Sequence, residues 1–332
     1  MSERMRHRIL ILKPSSLGDI VQTLPALAAL RQGLPKANLS WLVNAEWAAV
    51  LDNNPLLDQV RIFPRREFRG FAGGLAFAGW LRREPRTWTL DAVVDFQGLL
   101  RSGLIARATG AEQIFGLGDS REGARFFHTE IVPTAGIMHS VERYLQLAKA
   151  VGAADGPVEF PLGLGDAIPD FKASDGSFLV LHPFSRGAGK SLSPEDVGIF
   201  CRTVHPQTVV IVGRGRVPDA NWPENAIDLL DVTTIPQLIW LLRRAGGTVS
   251  VDSGPMHLAA ATGRPLIGIH AWTDPRKVGP YRPDAIVWKG AKMCRFDELA
   301  EQSPSFFLKC ELPCPDDLAA IAKRAAAWLN SA

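Results

Sequence analysis

The sequence predicts an α/β protein of two domains, each a parallel sheet covered by helices. Three observations carry this reading. The chain has 332 residues, about two domains' worth. Short β-branched or apolar runs alternate with amphipathic stretches, the pattern of a parallel sheet under helices. The alternation stops over Gly152–Gly176, a stretch rich in Gly, Pro and Asp without sustained periodicity, and then restarts, so that stretch reads as an interdomain linker.

In the first half, strands are expected at Arg8–Lys13, Leu39–Val43, Gln59–Phe63, Ala92–Asp95 and Gln113–Gly116. Helical patterns lie between them at Ile20–Gln32, Trp47–Asp52, Gly98–Ala108 and Ser140–Val151. After the linker, strands are expected at Phe178–His182, Thr208–Val212, Ala226–Leu229, Gly247–Val251 and Pro265–Ile269. Helices are expected at Pro194–Val204, Ile235–Ala245, Pro255–Thr262 and Pro315–Leu329. The last has Pro315 suited to a first turn, with Asp316 and Asp317 at its positive end. Two such halves are expected to bind ligands at the C-terminal ends of their strands, in a cleft between them. The domains read as 1–165 and 176–314, with 315–332 as a closing helix.

Hydrophobic residues make up 46% of the chain and charged residues 21%, an ordinary globular balance that needs no disulfide or metal staple. No segment approaches the roughly 20 apolar residues that span a bilayer. The apolar run Ile9–Leu12 after the basic start is too short for a signal peptide, so a cytoplasmic location is expected. Cys201, Cys294, Cys310 and Cys314 fit reduced thiols there, and without a Cys-x-x-Cys pair no metal is expected. Net charge is only +3, but arginines crowd the first half, which suits a phosphorylated substrate or a membrane surface, or simply a solvated basic face.

Three constellations follow strands. Lys13-Pro14-Ser15-Ser16-Leu17-Gly18-Asp19-Ile20 puts an acid at the C-terminal edge of the first sheet. Asp19 there suits deprotonation of an incoming hydroxyl, although it or Ser16 also serves as a helix cap. His182-Pro183-Phe184-Ser185-Arg186-Gly187-Ala188-Gly189-Lys190 joins small residues, a hydroxyl and two cations in one loop. Its backbone N–H groups, Ser185 and Lys190 suit a diphosphate, the bland alternative being a flexible basic loop. Val251-Asp252-Ser253-Gly254-Pro255-Met256-His257-Leu258 runs from strand to helix and places Ser253 and Gly254 at a second anion-favouring helix start. His257, one turn in, taken alone reads as structural. The rim continues with His270-Ala271-Trp272-Thr273-Asp274-Pro275.

Taken together, Ser15-Ser16-x-Gly18-Asp19, Lys190, Asp252-Ser253-Gly254-x-x-His257-Leu258 and Thr273-Asp274-Pro275 resemble glycosyltransferase family 9, the heptosyltransferases. Leu90–Leu99 with Arg101-Ser102, and His139-Ser140-Val141-Glu142-Arg143, resemble the heptosyltransferase I branch. The resemblance implies a GT-B fold of two Rossmann-like domains, the donor nucleotide in the second and the final helix packed back against the first. It implies inverting, metal-independent transfer from ADP-heptose to Kdo–lipid A, with no cofactor and no nucleic-acid partner, and at most peripheral contact with the inner membrane.

Carried onto this sequence, Asp19 matches the general base and Lys190 the cation on the donor diphosphate. Ser185, Asp252, Ser253, Gly254 and His257 fall on the donor side. Ser16, Gly18, Arg65, Arg66, Arg69 and Arg101 fall on the acceptor side. The chain departs from the family in Lys190-Ser-Leu-Ser, in Pro255-Met256, and after Gly213, where Arg214-Gly215-Arg216 lacks an acid and Glu224 stands nearby. A family 9 transferase with another sugar nucleotide or acceptor keeps the same base. A sugar-nucleotide sensor on the same scaffold is the non-catalytic alternative. A dehydrogenase is disfavoured, because G-x-G-x-x-G with its ribose acid is missing.

Overall fold

Strand β1 (Arg8–Leu12) is apolar at four of its five positions and buried on both faces, as a central parallel strand must be. It lies between β2 (Asn38–Asn44) and β4 (Ala92–Asp95), with β3 (Gln59–Phe63), β5 (Gln113–Leu117) and β6 (Glu130–Val132) completing an all-parallel sheet. The order β3-β2-β1-β4-β5-β6 reverses between β1 and β4, which makes that edge the topological switch point. The structure is a computed structural model that describes residues 7–136, 138–185, 189–215, 217 and 221–330. Arg186–Ala188 of the lysine loop and Arg216 lie outside them.

The chain divides into two compact units, Met1–Gly163 and Leu164–Ala332. In the first, α1 (Leu17–Gly33) buries Ile20, Val21, Leu24, Leu27 and Leu30 and packs against α4 (Ser140–Val151). Helix α3 (Leu100–Ala108) follows β4. Helix α2 (Gly70–Arg83) lies where no element is expected from the sequence, and a helical turn at Ala45–Val50 replaces the helix expected at Trp47–Asp52. Phe77, Trp80 and Leu81 of α2 pack onto Phe63, Phe68 and Trp88.

The second unit repeats the plan. Its strands are β7 (Phe178–His182), β8 (Thr208–Gly213), β9 (Ala226–Leu230), β10 (Gly247–Val251), β11 (Leu266–Ile269), β12 (Ile286–Lys289) and β13 (Lys292–Arg295). The order is β13-β12-β11-β10-β7-β8-β9, parallel except for β13, with its switch point between β7 and β10. The helices are α5 (Pro194–Val204), α6 (Ile235–Arg244), α7 (Gly254–Ala261), the short α8 (Pro275–Val278) and α9 (Pro315–Ala326). Residues 291–314, which carry no assigned element in the sequence reading, form β13 and two helical turns over a small core of Val287, Leu299 and Phe306.

Helix α9 spends its apolar stripe, Leu318, Ile321, Ala322 and Ala325, on the second unit's core with Val197, Phe200 and Cys201 of α5. Trp328 then closes over Gly247, where a Cβ would meet its ring at 2.1 Å. Among the described residues no helix is long and apolar enough to cross a membrane.

Candidate active site

In the first unit the chemistry gathers at the switch point, where the turns after β1 and β4 meet. Helix α1 begins at Leu17, three residues ahead of the expected Ile20, so Asp19 is its third residue. Ser16 donates to Asp19 Oδ2 from its backbone N at 3.0 Å and from its Oγ at 2.6 Å. The capping role and a position at the sheet edge thus belong to the same carboxylate. Gly18 is buried in the same turn.

Asp19 Oδ1 faces two groups that the motif does not flag. Tyr144 of α4 donates to it at 3.5 Å, and the Lys13 ammonium lies 3.7 Å away. Lys13 is buried at the end of β1, donating to the Phe96 carbonyl at 2.9 Å and to the Tyr144 hydroxyl at 2.8 Å. Burial opposes the Lys13 charge, but Tyr144 and Asp19 outweigh it and hold its pKa above the ordinary lysine value. Burial pushes the Tyr144 phenol up, so it stays a protonated donor.

The turn after β4 is fixed by Asp95, buried at the strand end. Its Oδ1 accepts from the backbone of Gln97 and Gly98, and its Oδ2 from Ser102 at 2.9 Å and faces His128 Nε2 at 3.0 Å. Gly98 sits at φ +62, with Ser120 Oγ 2.9 Å from where a Cβ would stand, so this tight turn requires glycine. Gln97 then reaches back to accept from Ser15 N at 3.4 Å.

These turns border a pocket of about 440 Å³ lined by Ser15, Asn44, Phe63, Arg65, Gln97 and Arg101 among others. The volume is that of a small-ligand site. Of the four expected acceptor arginines, Arg65 and Arg101 line it, with Arg101 over the Phe77 ring at 5.8 Å. Arg66 and Arg69 are exposed near α2 and do not line it. Asn44, buried at the end of β2, adds a side-chain amide with no hydrogen-bond partner among the described residues.

In the second unit the three expected segments do come together. Ser185 Oγ donates to the Asp252 carbonyl at 3.0 Å, and Lys190 Nζ lies 3.8 Å from Asp252 Oδ2. Thr273 Oγ1 donates to the same oxygen at 2.9 Å. Trp272 Nε1 donates to the Gly189 carbonyl at 2.9 Å and tethers the lysine loop. Gly254 opens α7. Ser253, its cap, turns its hydroxyl to His182 Nδ1 at 3.1 Å. His257 is buried in the first turns of α7.

Burial lowers the His182 pKa to about 4, and that of His270 to about 4 despite the pull of Asp252. Both imidazoles therefore act as neutral hydrogen-bonding groups at ordinary pH. Lys289, buried beneath the same rim, donates to the carbonyls of Ala271 at 3.1 Å and Thr273 at 3.2 Å, fixing the loop that bears Thr273. Glu224, the acid near the Gly213 segment, faces His205 at 2.9 Å. Cys294, Cys310 and Cys314 are free thiols, and the Cys310 Sγ donates to backbone carbonyls of the His270 segment.

One unit thus offers a supported carboxylate beside a polar pocket, the other a cation among hydroxyls and helix-start amides. The chain belongs to glycosyltransferase family 9 (heptosyltransferase), whose sequence pattern matches residues 80–178 and 217–304. It is a glycosyltransferase. The lipopolysaccharide heptosyltransferase 1 of Pseudomonas aeruginosa is 29% identical over 339 residues, covering 92% of each chain. That of Salmonella typhimurium is 27% identical over 313 residues, covering 82% of this chain and 91% of its own. The E. coli heptosyltransferase WaaC, solved with ADP, superposes with a TM-score of 0.74 at 21% identity, over 96% of this chain and 99% of that one. The family 9 glycosyl transferase of Veillonella parvula gives 0.75 at 17% identity, over 98% of both. The architecture is accordingly that of the GT-B fold.

Proposed function

We propose that the protein transfers heptose from ADP-heptose to the Kdo–lipid A inner core of lipopolysaccharide, with inversion and without a metal. The supporting relatives are the heptosyltransferases 1, and a solved family member, WaaC, that holds ADP. The observation that carries the reading is the division of chemistry between two switch points: a carboxylate at the first, a lysine with hydroxyls at the second.

Inversion needs a single displacement. Asp19 takes the proton of the acceptor hydroxyl as that oxygen bonds to the anomeric carbon, and the bond to ADP breaks with its electron pair leaving on the diphosphate. Lys190, Ser185 and the N–H groups opening α7 meet the charge that develops on ADP. Asp252 is suited to hold Lys190 through its carboxylate and Ser185 through its carbonyl until the donor arrives. Arg65 and Arg101, with Asn44, supply the charge and hydrogen bonds that an acidic, phosphorylated acceptor calls for. Arg66 and Arg69, with the other exposed arginines of the first unit, suit a peripheral, electrostatic contact with the cytoplasmic face of the inner membrane.

Titration calorimetry with ADP, UDP and GDP, with and without EDTA, tests the donor half. ADP is expected to bind selectively, unaffected by EDTA, and Lys190→Ala to abolish the binding. Preference for UDP or GDP would move the donor assignment to another sugar nucleotide.

A further inference from the structure

We propose that Lys13, acting with Tyr144, is a positioning residue that orients the Asp19 carboxylate and stabilises its charge. The inference rests on reading Asp19 as the base and adds two residues which the sequence motif leaves without a role.

Three elements converge on the carboxylate: Lys13 from the end of β1, Tyr144 from α4 and Asp19 from the first turn of α1. The Lys13 side chain is 3% exposed, whereas Asp19 is 39% exposed, so the cation stands behind the acid and the acid faces outward. Its ammonium is anchored by the Phe96 carbonyl and the Tyr144 hydroxyl, and the Tyr144 ring lies 4.8 Å from it. Tyr144 in turn points its hydroxyl at Asp19 Oδ1, so ammonium, phenol and carboxylate stand in sequence.

A buried ammonium is a poor way to hold a sheet together, since an apolar side chain of similar volume is often neutral or better. Ile9–Leu12 show that this strand is otherwise wholly apolar where it is buried. The charge at position 13 is explained by what it faces. Among the described residues, Asp95 at the end of β4 also acts on Lys13, and Arg143 of α4 acts on Tyr144 and pairs with Asp119 at 2.5 Å.

An opposite charge and a donated hydrogen bond both favour the ionised form of a carboxyl group. Lys13 and Tyr144 thus hold the Asp19 carboxylate from behind in one orientation, with its open side outward. Lys13 gives up no proton in the step. The acceptor proton passes to Asp19, and the ammonium stays charged behind it.

The test uses the full-length protein. Carbon-13 NMR titration of the Asp19 carboxyl, in wild type, Lys13→Met and Tyr144→Phe, reads the coupling without any substrate. The pH profile of kcat/KM with ADP-heptose and Kdo–lipid A reads its consequence. Lys13→Met is expected to raise the Asp19 midpoint and to move the acidic limb upward with it. It is expected to lower kcat while leaving ADP affinity intact, and Lys13→Arg to restore the limb. Tyr144→Phe is expected to move the midpoint in the same direction by less, and it serves if Lys13→Met does not fold. A midpoint unmoved in these variants would overturn the proposal and leave Lys13 as a packing residue, whatever the activity. Asp19→Asn with full turnover would instead remove the base assignment, while the titration still decides the coupling.

Discussion

Asp19 does two jobs at once. Its Oδ2 closes the first turn of α1 through Ser16, and its Oδ1 looks toward Lys13 and Tyr144. A side chain held at both oxygens is pre-aimed, which is what a general base gains from its surroundings. Asp19→Asn keeps the shape and loses the basicity, so near-total loss of transfer is expected with ADP binding unchanged, measured by turnover and calorimetry together. Lys190→Ala removes the cation proposed to meet the leaving diphosphate and is expected to cost about 10² to 10³ in kcat/KM for the donor. Among the arginines the pocket separates two pairs. Arg65→Ala and Arg101→Ala are expected to raise the acceptor KM, whereas Arg66→Ala and Arg69→Ala are not, and equal effects in all four would contradict the pocket assignment. Asp19 and Lys190 were visible as candidates in the sequence because each sits in a compact motif beside a strand. Lys13 and Tyr144 were not as partners, because they stand 131 residues apart and only the fold brings them to 2.8 Å. Asn44 was missed for the same reason: one polar residue at a strand end carries no pattern.

At the scale of elements, legibility followed local signals. The strand Phe178–His182 and the helices Ser140–Val151 and Pro194–Val204 have their expected bounds, the last because Ser193 caps it, accepting from Asp196 N, with Pro194 in its first turn. Helix α2 was hidden by Gly70, Gly73, Gly74 and Gly79, which argue against a helix by propensity. What holds it is tertiary, the seating of Phe77, Trp80 and Leu81 on the aromatic cluster of Phe63, Phe68 and Trp88. The β12–β13 pair was hidden because a short antiparallel addition breaks the strand–helix alternation on which the reading relied. Helix α9 was legible as a helix from Pro315, its acidic first turn and the stripe of Leu318, Ile321, Ala322 and Ala325. Because those side chains are fully buried beside α5, Leu318→Ala or Ile321→Ala is expected to destabilise the second unit by about 2 to 5 kcal/mol, read from its thermal or urea transition. A loss near zero would mean that α9 is an appendage.

At the scale of the whole molecule, the same strand order occurs twice, with β13 added in the second unit, and in each unit the candidate side chains collect where that order reverses. This much of the architecture was readable from the alternation alone, because parallel strands buried on both faces leave continuous apolar runs. The second unit also has a pH signature. His182 and His270 stay neutral in the folded chain, with pKa values of about 4, against 6.5 when exposed. The unfolded chain binds protons that the native one refuses, so stability is lost as pH falls from about 6.5 toward 4, by on the order of 3 kcal/mol for each imidazole. Urea unfolding across that range should show the decline, and His182→Gln should flatten part of it. The proposed transfer turns on a carboxylate that activates an acceptor hydroxyl toward an ADP-linked heptose. The most direct test is transfer from ADP-heptose to Kdo–lipid A by wild type and Asp19→Asn, with ADP affinity measured on both. Product is expected from the wild type alone, with equal ADP binding by the two proteins. Product formed by Asp19→Asn at the wild-type rate would contradict it.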